Sequence, residues 1–175
     1  MKRNTNLVTM GGKPVTLVGK LVKPGTNAKN FMAVRPDLSP MRLSDFAGKV
    51  RIISSSPSID TDVCAEQCRR FNLEASNLGQ VQVITITCDL PFALKRFRAA
   101  EAIDKIETVS DHRLTDFGIK YGFLIEELRL LARGIIIVDQ FDMVRYVELV
   151  RDLGEYPDYE KALAAATSLL RNPHQ

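Results

Sequence analysis

Residues 57–64, with the sequence PSIDTDVC, place a cysteine directly after a loop and at the expected start of a helix. The preceding residues 49–53 (KVRII) are typical of a buried strand, and residues 64–71 (CAEQCRRF) favour a helix. Free backbone amides and the positive end of the helix dipole stabilise an anion at such a position. Because the thiolate is the nucleophilic form of cysteine, Cys64 is the candidate catalytic residue.

A thiol at this position needs further help to react at neutral pH. Free cysteine has a pKa near ~8.5 and is mostly protonated under those conditions. A fixed positive charge beside the sulfur would favour the thiolate. Thr61 lies three residues before Cys64, where its hydroxyl can cap the helix or point at the sulfur and a substrate, and the two roles are compatible.

Pro57, Thr61 and Cys64 fit the pattern P-x-x-x-[TS]-x-x-C, and with this pattern the chain resembles the bacterial thiol peroxidase branch of the peroxiredoxins. The resemblance implies that Arg133, just before the apolar residues 135–138, is the cation that faces the thiolate and the peroxide. It also implies that Thr61 orients the peroxide and that Pro57 shields the sulfur from water. Further matching strings extend along nearly the whole chain: DLPFA at 89–93, RF at 96–97, SDHR at 110–113, LAR at 131–133 and PDYE at 157–160.

The activity implied by this resemblance is thiol-dependent reduction of hydrogen peroxide and alkyl hydroperoxides through a Cys64 sulfenic acid. It implies no cofactor or bound metal, recycling by thioredoxin or another thiol reductant, and a homodimer. A rival interpretation is a redox sensor or thiol-relay protein that keeps the fold without turnover. Ser56 replaces the aromatic residue that is usual at this position, which is compatible with the redox-sensor interpretation. Catalysis is favoured by the intact set of Pro57, Thr61, Cys64 and Arg133.

The resemblance fails at residue 98, where relatives of this branch usually carry the resolving cysteine and this chain has Arg98. Cys68, Cys88 or an external thiol must then resolve the sulfenic acid, and we expect Cys68 ahead of Cys88. Helical residues four apart have Cβ atoms about 5 to 6 Å apart, whereas a disulfide needs roughly 3.5 to 4.5 Å. A bridge from Cys64 to Cys68 therefore requires the first turn to unwind. Either additional cysteine is also compatible with simple packing in the core.

Composition excludes several classes of protein. The 24 basic and 21 acidic residues are interspersed, which argues against nucleic-acid binding, and no apolar run approaches the ~20 residues of a membrane span. With no apolar signal core at the start and only 3 cysteines, we expect a cytoplasmic protein. His112 and His174 lie too far apart in sequence to suggest a metal site, and we interpret His112 as structural. Lys95, Arg96 and Arg98 are expected to form a solvated basic face.

The remaining patterns predict the elements that must position these residues. The predicted strands comprise a hairpin over about 5–18, short strands at 31–34 and 41–43, and central strands at 81–87 and 135–138, and the predicted helices span 92–102 and 159–170. Strand and helix alternate around the cysteine, and a β-β-α unit ends the chain. We therefore predict one α/β domain over residues 1–175: a thioredoxin-like sandwich with a central mixed sheet, helices on both faces and an added N-terminal β-hairpin.

Overall fold

The computed structural model describes residues 1–172, so His174 lies outside the described residues. Alternating strands and helices follow the apolar patterns of the sequence. The strands are β1 Arg3–Met10, β2 Lys13–Val18, β3 Met32–Val34, β4 Pro40–Arg42, β5 Val50–Ser55, β6 Val81–Thr87, β7 Glu107–Ser110, β8 Leu124–Ile125, β9 Leu130–Leu131, β10 Gly134–Val138 and β11 Val144–Leu149. The helices are α1 Asp62–Ala75, α2 Pro91–Glu101, α3 Asp116–Tyr121 and α4 Tyr159–Arg171.

The central sheet has seven strands in the order β11-β10-β5-β6-β7-β3-β4. Strands β5, β6 and β7 run parallel, so their carboxyl ends share one edge of the sheet. Strand β10 is antiparallel to β5, and Gly134 pairs with Ser55. This register brings the residue before β10 next to the loop that follows β5, although the two segments are far apart in sequence.

Both faces of this mixed sheet are covered. On one face α1 and α4 pack their apolar residues, including Phe71 and Ala162, against Ile52 and Ile135, and Phe97 of α2 joins the same cluster. On the other face lie α3 and a four-stranded sheet with the order β1-β2-β8-β9. The predicted thioredoxin-like arrangement with helices on both faces is confirmed.

The N-terminal hairpin is also confirmed, and it is larger than the sequence indicated. Gly11 and Gly12 form its turn with φ angles of +57° and +81°, the left-handed region in which glycine is favoured. Strand β2 then pairs with β8, and β8 pairs with β9, which extends the hairpin into the second sheet. The strand expected at 41–43 ends at Arg42, because Leu43 begins a 3₁₀-helix that spans Leu43–Phe46.

Among the described residues, none of the helices is both long and apolar enough to pass through a bilayer.

Candidate active site

The loop between β5 and α1 is fastened to the end of the neighbouring strand by Asp89. Its carboxylate accepts hydrogen bonds from Ser58 Oγ at 2.7 Å and from the Ile59 amide at 2.8 Å. Thr87 Oγ1 donates to the same carboxylate at 2.8 Å, and Ser110 Oγ donates to the Asp89 carbonyl. The loop that leads to the cysteine is thereby fixed against β6 and β7.

Helix α1 begins as the sequence predicted. Thr61 is its N-cap, and its hydroxyl accepts from the Cys64 amide at 3.4 Å while donating to the Ser58 carbonyl at 3.1 Å. The capping role of Thr61 is confirmed, and its peroxide-orienting role stays a prediction. Pro57 is buried in the loop, and Cys64 lies in the first turn of the helix with only 1% of its surface exposed.

Arg133 meets Cys64 across 69 residues of sequence. Its Nη2 lies 3.1 Å from Cys64 Sγ, and the whole side chain is 1% exposed. Nε and Nη2 also donate to the Leu153 carbonyl at 3.2 and 2.9 Å, and Nη1 donates to Gln67 Oε1 at 2.9 Å. A fixed guanidinium that donates to a sulfur at a helix start is the environment in which cysteines act as nucleophiles.

Gln67 is a member of this site that sequence reasoning missed. It is 1% exposed, and its Nε2 donates to Ser54 Oγ at 2.7 Å and to the Ser55 carbonyl at 3.2 Å. The side chain therefore ties β5 to Arg133 and holds the guanidinium in place. The available signal was its position three residues after Cys64, which puts it close to the buried face of α1.

The other two cysteines occupy opposite faces of the central sheet, and all three are free thiols. Cys68 is fully buried in the cluster beneath α1, and this burial raises the pKa of its thiol to about 11. Cys88 follows β6 and packs against the cluster on the other face. Burial, with the nearby Asp111 and Asp89, raises the pKa of Cys88 to about 12. Neither thiol is ionised at neutral pH in this state.

Arg98 contradicts the expectation of a solvated basic face. Lys95 and Arg96 are exposed, but Arg98 is half-buried and its Nη1 donates to the Ile106 carbonyl at 2.7 Å and to Thr108 Oγ1 at 2.9 Å. The guanidinium turns inward because β7 and the residue before it offer buried acceptors that need a donor.

His112 carries an imidazole that a thiol site could use as a base. It is exposed in the turn after β7, and its backbone amide donates to Ser110 Oγ at 3.2 Å. The structural interpretation of His112 stays a prediction.

A helix-initial cysteine that faces a buried arginine, on a mixed sheet flanked by helices, defines a thioredoxin-like thiol site. Residues 23–163 match the family model described as Redoxin. A thiol peroxidase of Oceanobacillus iheyensis is 54% identical over 157 residues, which cover 90% of this chain and 96% of the relative. A thiol peroxidase of Bacillus subtilis is 49% identical over 164 residues, or 94% of this chain and 98% of the relative.

A solved structure agrees with the sequence relatives. The crystal structure of a peroxiredoxin-like protein from Aquifex aeolicus superposes with a TM-score of 0.89 at 34% identity, covering 97% of this chain and 99% of the other. The chain therefore belongs to the Redoxin family and, within it, to the bacterial thiol peroxidase branch of the peroxiredoxins.

Proposed function

We propose that this chain is a peroxidase that reduces hydrogen peroxide and alkyl hydroperoxides with Cys64 as the attacking thiol. The observation that carries the proposal is the 3.1 Å contact between Arg133 Nη2 and Cys64 Sγ at the start of α1. The similarity to relatives that are named thiol peroxidases supports the same reaction.

The reaction transfers one oxygen atom to the sulfur. The Cys64 thiolate attacks the terminal peroxide oxygen, the O–O bond breaks, and the other oxygen leaves as water or an alcohol after taking a proton. Cys64 becomes a sulfenic acid. Arg133 donates to the sulfur and stabilises the negative charge that develops on the leaving oxygen. Thr61 orients the peroxide, and Pro57 keeps bulk water from the sulfur.

The sulfenic acid then condenses with a thiol, for which Cys68 is better placed than Cys88. Cys68 is on the same helix as Cys64 and on the same side of the sheet, whereas Cys88 packs against the opposite cluster. The Cys68 thiol displaces the hydroxyl of the sulfenic acid, which forms a disulfide and releases water. Because an intact helix keeps the two Cβ atoms too far apart, the first turn of α1 must unwind. Thioredoxin is the proposed reductant of the disulfide.

We also propose an assembly and a cellular location for this chain. A homodimer through the loops around the site is supported by Leu90 and Phe92, which are 55% and 66% exposed and closely follow Asp89, the residue that holds the loop before α1. A cytoplasmic location suits the 3 free cysteines. We also propose that residues 1–175 act as one domain, because residues of both sheets share one core cluster.

Coupled turnover tests the proposal. With thioredoxin, thioredoxin reductase and NADPH, the parent protein should oxidise NADPH continuously after peroxide is added. Cys64→Ser should abolish this activity, while the matched variant Cys88→Ser should retain it. Failure of the parent to consume peroxide would refute the peroxidase. Consumption of one equivalent without turnover would instead support the redox-sensor alternative.

A further inference from the structure

The Leu153 carbonyl is the acceptor that holds Arg133 in the site. It accepts from Arg133 Nε at 3.2 Å and from Nη2 at 2.9 Å, and the same Nη2 lies 3.1 Å from Cys64 Sγ. Leu153 belongs to the short segment between β11 and α4, which is neither strand nor helix. The place of the guanidinium beside the thiol therefore depends on how this segment is held.

A tight turn places the peptide group between Leu153 and Gly154 at its centre. The Asp152 carbonyl accepts from the Glu155 amide at 3.0 Å, which closes the turn. The central peptide group carries the Leu153 carbonyl on one side and the Gly154 amide on the other. Arg133 donates to the carbonyl, and the amide donates to Asp152 Oδ1 at 3.0 Å. Both polar ends of this peptide group are thus held by side chains.

The glycine in this turn allows a second orientation of the central peptide group. Type I and type II turns differ by a rotation of that group through roughly 180°, and type II needs a positive φ at the third residue, here Gly154. The φ of Gly154 is not in the left-handed region, so the observed turn is not type II. In a type II turn the Leu153 carbonyl would point away from Arg133, and buried donors of the guanidinium would lose their acceptor.

The Asp152 side chain favours the observed orientation. An aspartate that accepts from the amide two residues later forms a local turn of its own, and the Gly154 amide points at Asp152 only in this orientation. The second oxygen, Oδ2, is anchored on the N-terminal hairpin, where it accepts from Thr9 Oγ1 at 2.5 Å and from the Gly12 amide at 3.0 Å. Hydrogen bonds from Thr9, Gly154 and Gly12 lower the pKa of the Asp152 carboxyl to about 2, so it is ionised at neutral pH.

We propose that Asp152 is a positioning residue for the peroxide reaction, because its carboxylate keeps the central peptide group in the orientation that holds Arg133 beside Cys64. The inference rests on the proposed peroxidase function and deepens it. Asp152 acts through Arg133 and makes no bond in the reaction. The N-terminal hairpin, which anchors Asp152, thereby contributes to a site that is far from it in sequence.

Other contacts should preserve the fold when the Asp152 side chain is changed. The Thr9 amide donates to the Arg151 carbonyl at 2.7 Å, and the Leu153 amide donates to the Thr9 carbonyl at 3.0 Å. Val8 of the hairpin and Leu153 also belong to one apolar cluster. Because these contacts do not use the carboxylate, variants of Asp152 should fold with the hairpin in place.

Three substitutions of Asp152 separate the orientation of the peptide group from the attachment of the hairpin. Asp152→Ala removes both contacts. Asp152→Asn loses the charge that faces the hairpin but keeps an oxygen that can accept from the Gly154 amide. Asp152→Glu keeps the charge, but its longer side chain does not form the local turn that aspartate and asparagine form.

The matched control is Glu127→Ala. Glu127 also binds the hairpin through its carboxylate, whose two oxygens each accept from the Thr16 amide at 3.0 Å. It makes no hydrogen bond to the central peptide group between Leu153 and Gly154. Loss of this carboxylate therefore weakens the attachment of the hairpin without releasing the acceptor of Arg133.

Stopped-flow mixing with hydrogen peroxide measures the rate of Cys64 oxidation, and urea unfolding measures the stability of each variant. Asp152→Ala and Asp152→Glu should slow the oxidation about fivefold, which corresponds to one net hydrogen bond. Asp152→Asn should stay within about twofold of the parent rate, because it preserves the local turn. Glu127→Ala should match the parent rate.

A rescue experiment distinguishes positioning from a purely structural role. Adding Gly154→Ala to Asp152→Ala should return the rate towards that of the parent, because alanine resists the positive φ that the type II turn requires. A Cβ at residue 154 has room, since its nearest neighbour would be Asp152 Oδ1 at 3.4 Å. In an Arg133→Met background, Asp152→Ala should cause no further loss of rate.

Parent-like rates in both Asp152→Ala and Asp152→Glu would overturn the inference. Equal slowing in Asp152→Ala and Glu127→Ala would do the same, since the effect would then come from the hairpin in general. Failure of Gly154→Ala to restore the rate would contradict the role of the peptide orientation. If Asp152→Ala does not fold, the comparison of Asp152→Glu with Asp152→Asn decides. A parent protein that forms no Cys64 sulfenic acid would instead refute the peroxidase proposal itself.

Discussion

Within residues 1–172, two arginines are almost completely buried, and they lie at opposite ends of the same pair of strands. Arg133 precedes β10 and is 1% exposed, and Arg51 lies on β5 and is 0% exposed. Gly134 pairs with Ser55 at one end of the strand pair, and Val138 pairs with Arg51 at the other. The same residue type, equally desolvated, thus occurs at the thiol site and at the far end of the sheet.

The difference lies in what each guanidinium faces. Among residues 1–172, the partners of Arg133 are a carbonyl, an amide and the Cys64 sulfur, so no carboxylate neutralises its charge. Arg51 instead donates to Asp142 Oδ1 and to the Asp139 carbonyl, both at 2.7 Å. Within residues 1–172, Nε and Nη1 of Arg51 have no hydrogen-bond partner. Burial of an arginine therefore does not define a site, whereas an unneutralised charge beside a thiol does.

The largest effect should follow from removing the charge at the thiol. Arg133→Met should slow Cys64 oxidation by peroxide at least about 100-fold, because the sulfur and the leaving oxygen lose a preorganised donor. Arg133→Lys keeps a positive charge but loses the planar set of donors of the guanidinium. Its rate of Cys64 oxidation should lie between those of the parent and Arg133→Met. Stopped-flow mixing with hydrogen peroxide measures the rate. If Arg133→Met reacts as fast as the parent, Arg133 does not activate Cys64 and does not differ from Arg51 in function.

A smaller loss should follow from releasing the support of Arg133. Gln67→Leu should slow Cys64 oxidation about tenfold, because the guanidinium loses one of its acceptors while its charge remains. The matched control is Gln82→Leu, since Gln82 is half-buried on β6 and donates to the Val83 carbonyl instead. Equal rates for the two variants would show that Gln67 does not position Arg133.

At the end of the strand pair that lies near Arg51, a change of pH should alter the free energy of unfolding and not the rate of Cys64 oxidation. Although burial opposes ionisation of Asp139, hydrogen bonds from Arg145, Met143 and Phe141 hold the pKa of its carboxyl below the usual range. Its contribution to folding is therefore present above about pH 4 and is lost as pH falls through the lower folded pKa.

Asp139→Asn should accordingly lower the free energy of unfolding by about 1 kcal/mol at pH 7. The difference in the free energy of unfolding between Asp139→Asn and the parent should become smaller in acid. Urea unfolding at several pH values measures this difference. A difference that becomes larger as pH falls would contradict the stabilising role of the ionised Asp139. Slower reaction of Asp139→Asn with peroxide at neutral pH would contradict the claim that this end of the strand pair affects stability alone.

The smallest effect is expected for Arg51 itself. Arg51→Met should leave the rate of Cys64 oxidation within about twofold and the free energy of unfolding within about 1 kcal/mol of the parent. The effect is small because the ion pair that is lost involves Asp142, whose side chain is 59% exposed and can be solvated by water. The substitution also removes Nε and Nη1 of Arg51, which have no hydrogen-bond partner among residues 1–172. A rate loss like that of Arg133→Met would show that the comparison of the two arginines is wrong.

Local sequence patterns were sufficient for the parts of the site that lie close together in the chain. The cap at Thr61 and the start of α1 follow from residue types three positions apart. The contact between Arg133 and Cys64 depends on the antiparallel register of β10 beside β5, which no spacing reveals. Only the resemblance to a known family pointed to Arg133.

The features that were missed have identifiable physical causes. Gln67 was overlooked because a polar residue within a helix usually faces solvent, and Arg98 was misplaced for the same reason. Strands β8 and β9 have only two residues each, too few for any alternation to appear. Helix α3 is short, contains Gly118 and follows Thr115 at a φ of +49°, so neither periodicity nor capping marked it.

The most direct test of the account is to locate the sulfenic acid. Cys68→Val replaces a buried thiol with an apolar residue of similar size, so the variant should fold, and it should retain the oxidised Cys64 for trapping. After one equivalent of hydrogen peroxide and a dimedone probe, mass mapping should find the label on Cys64 alone. A label on Cys88, with Cys64 still free to be alkylated, would contradict the account.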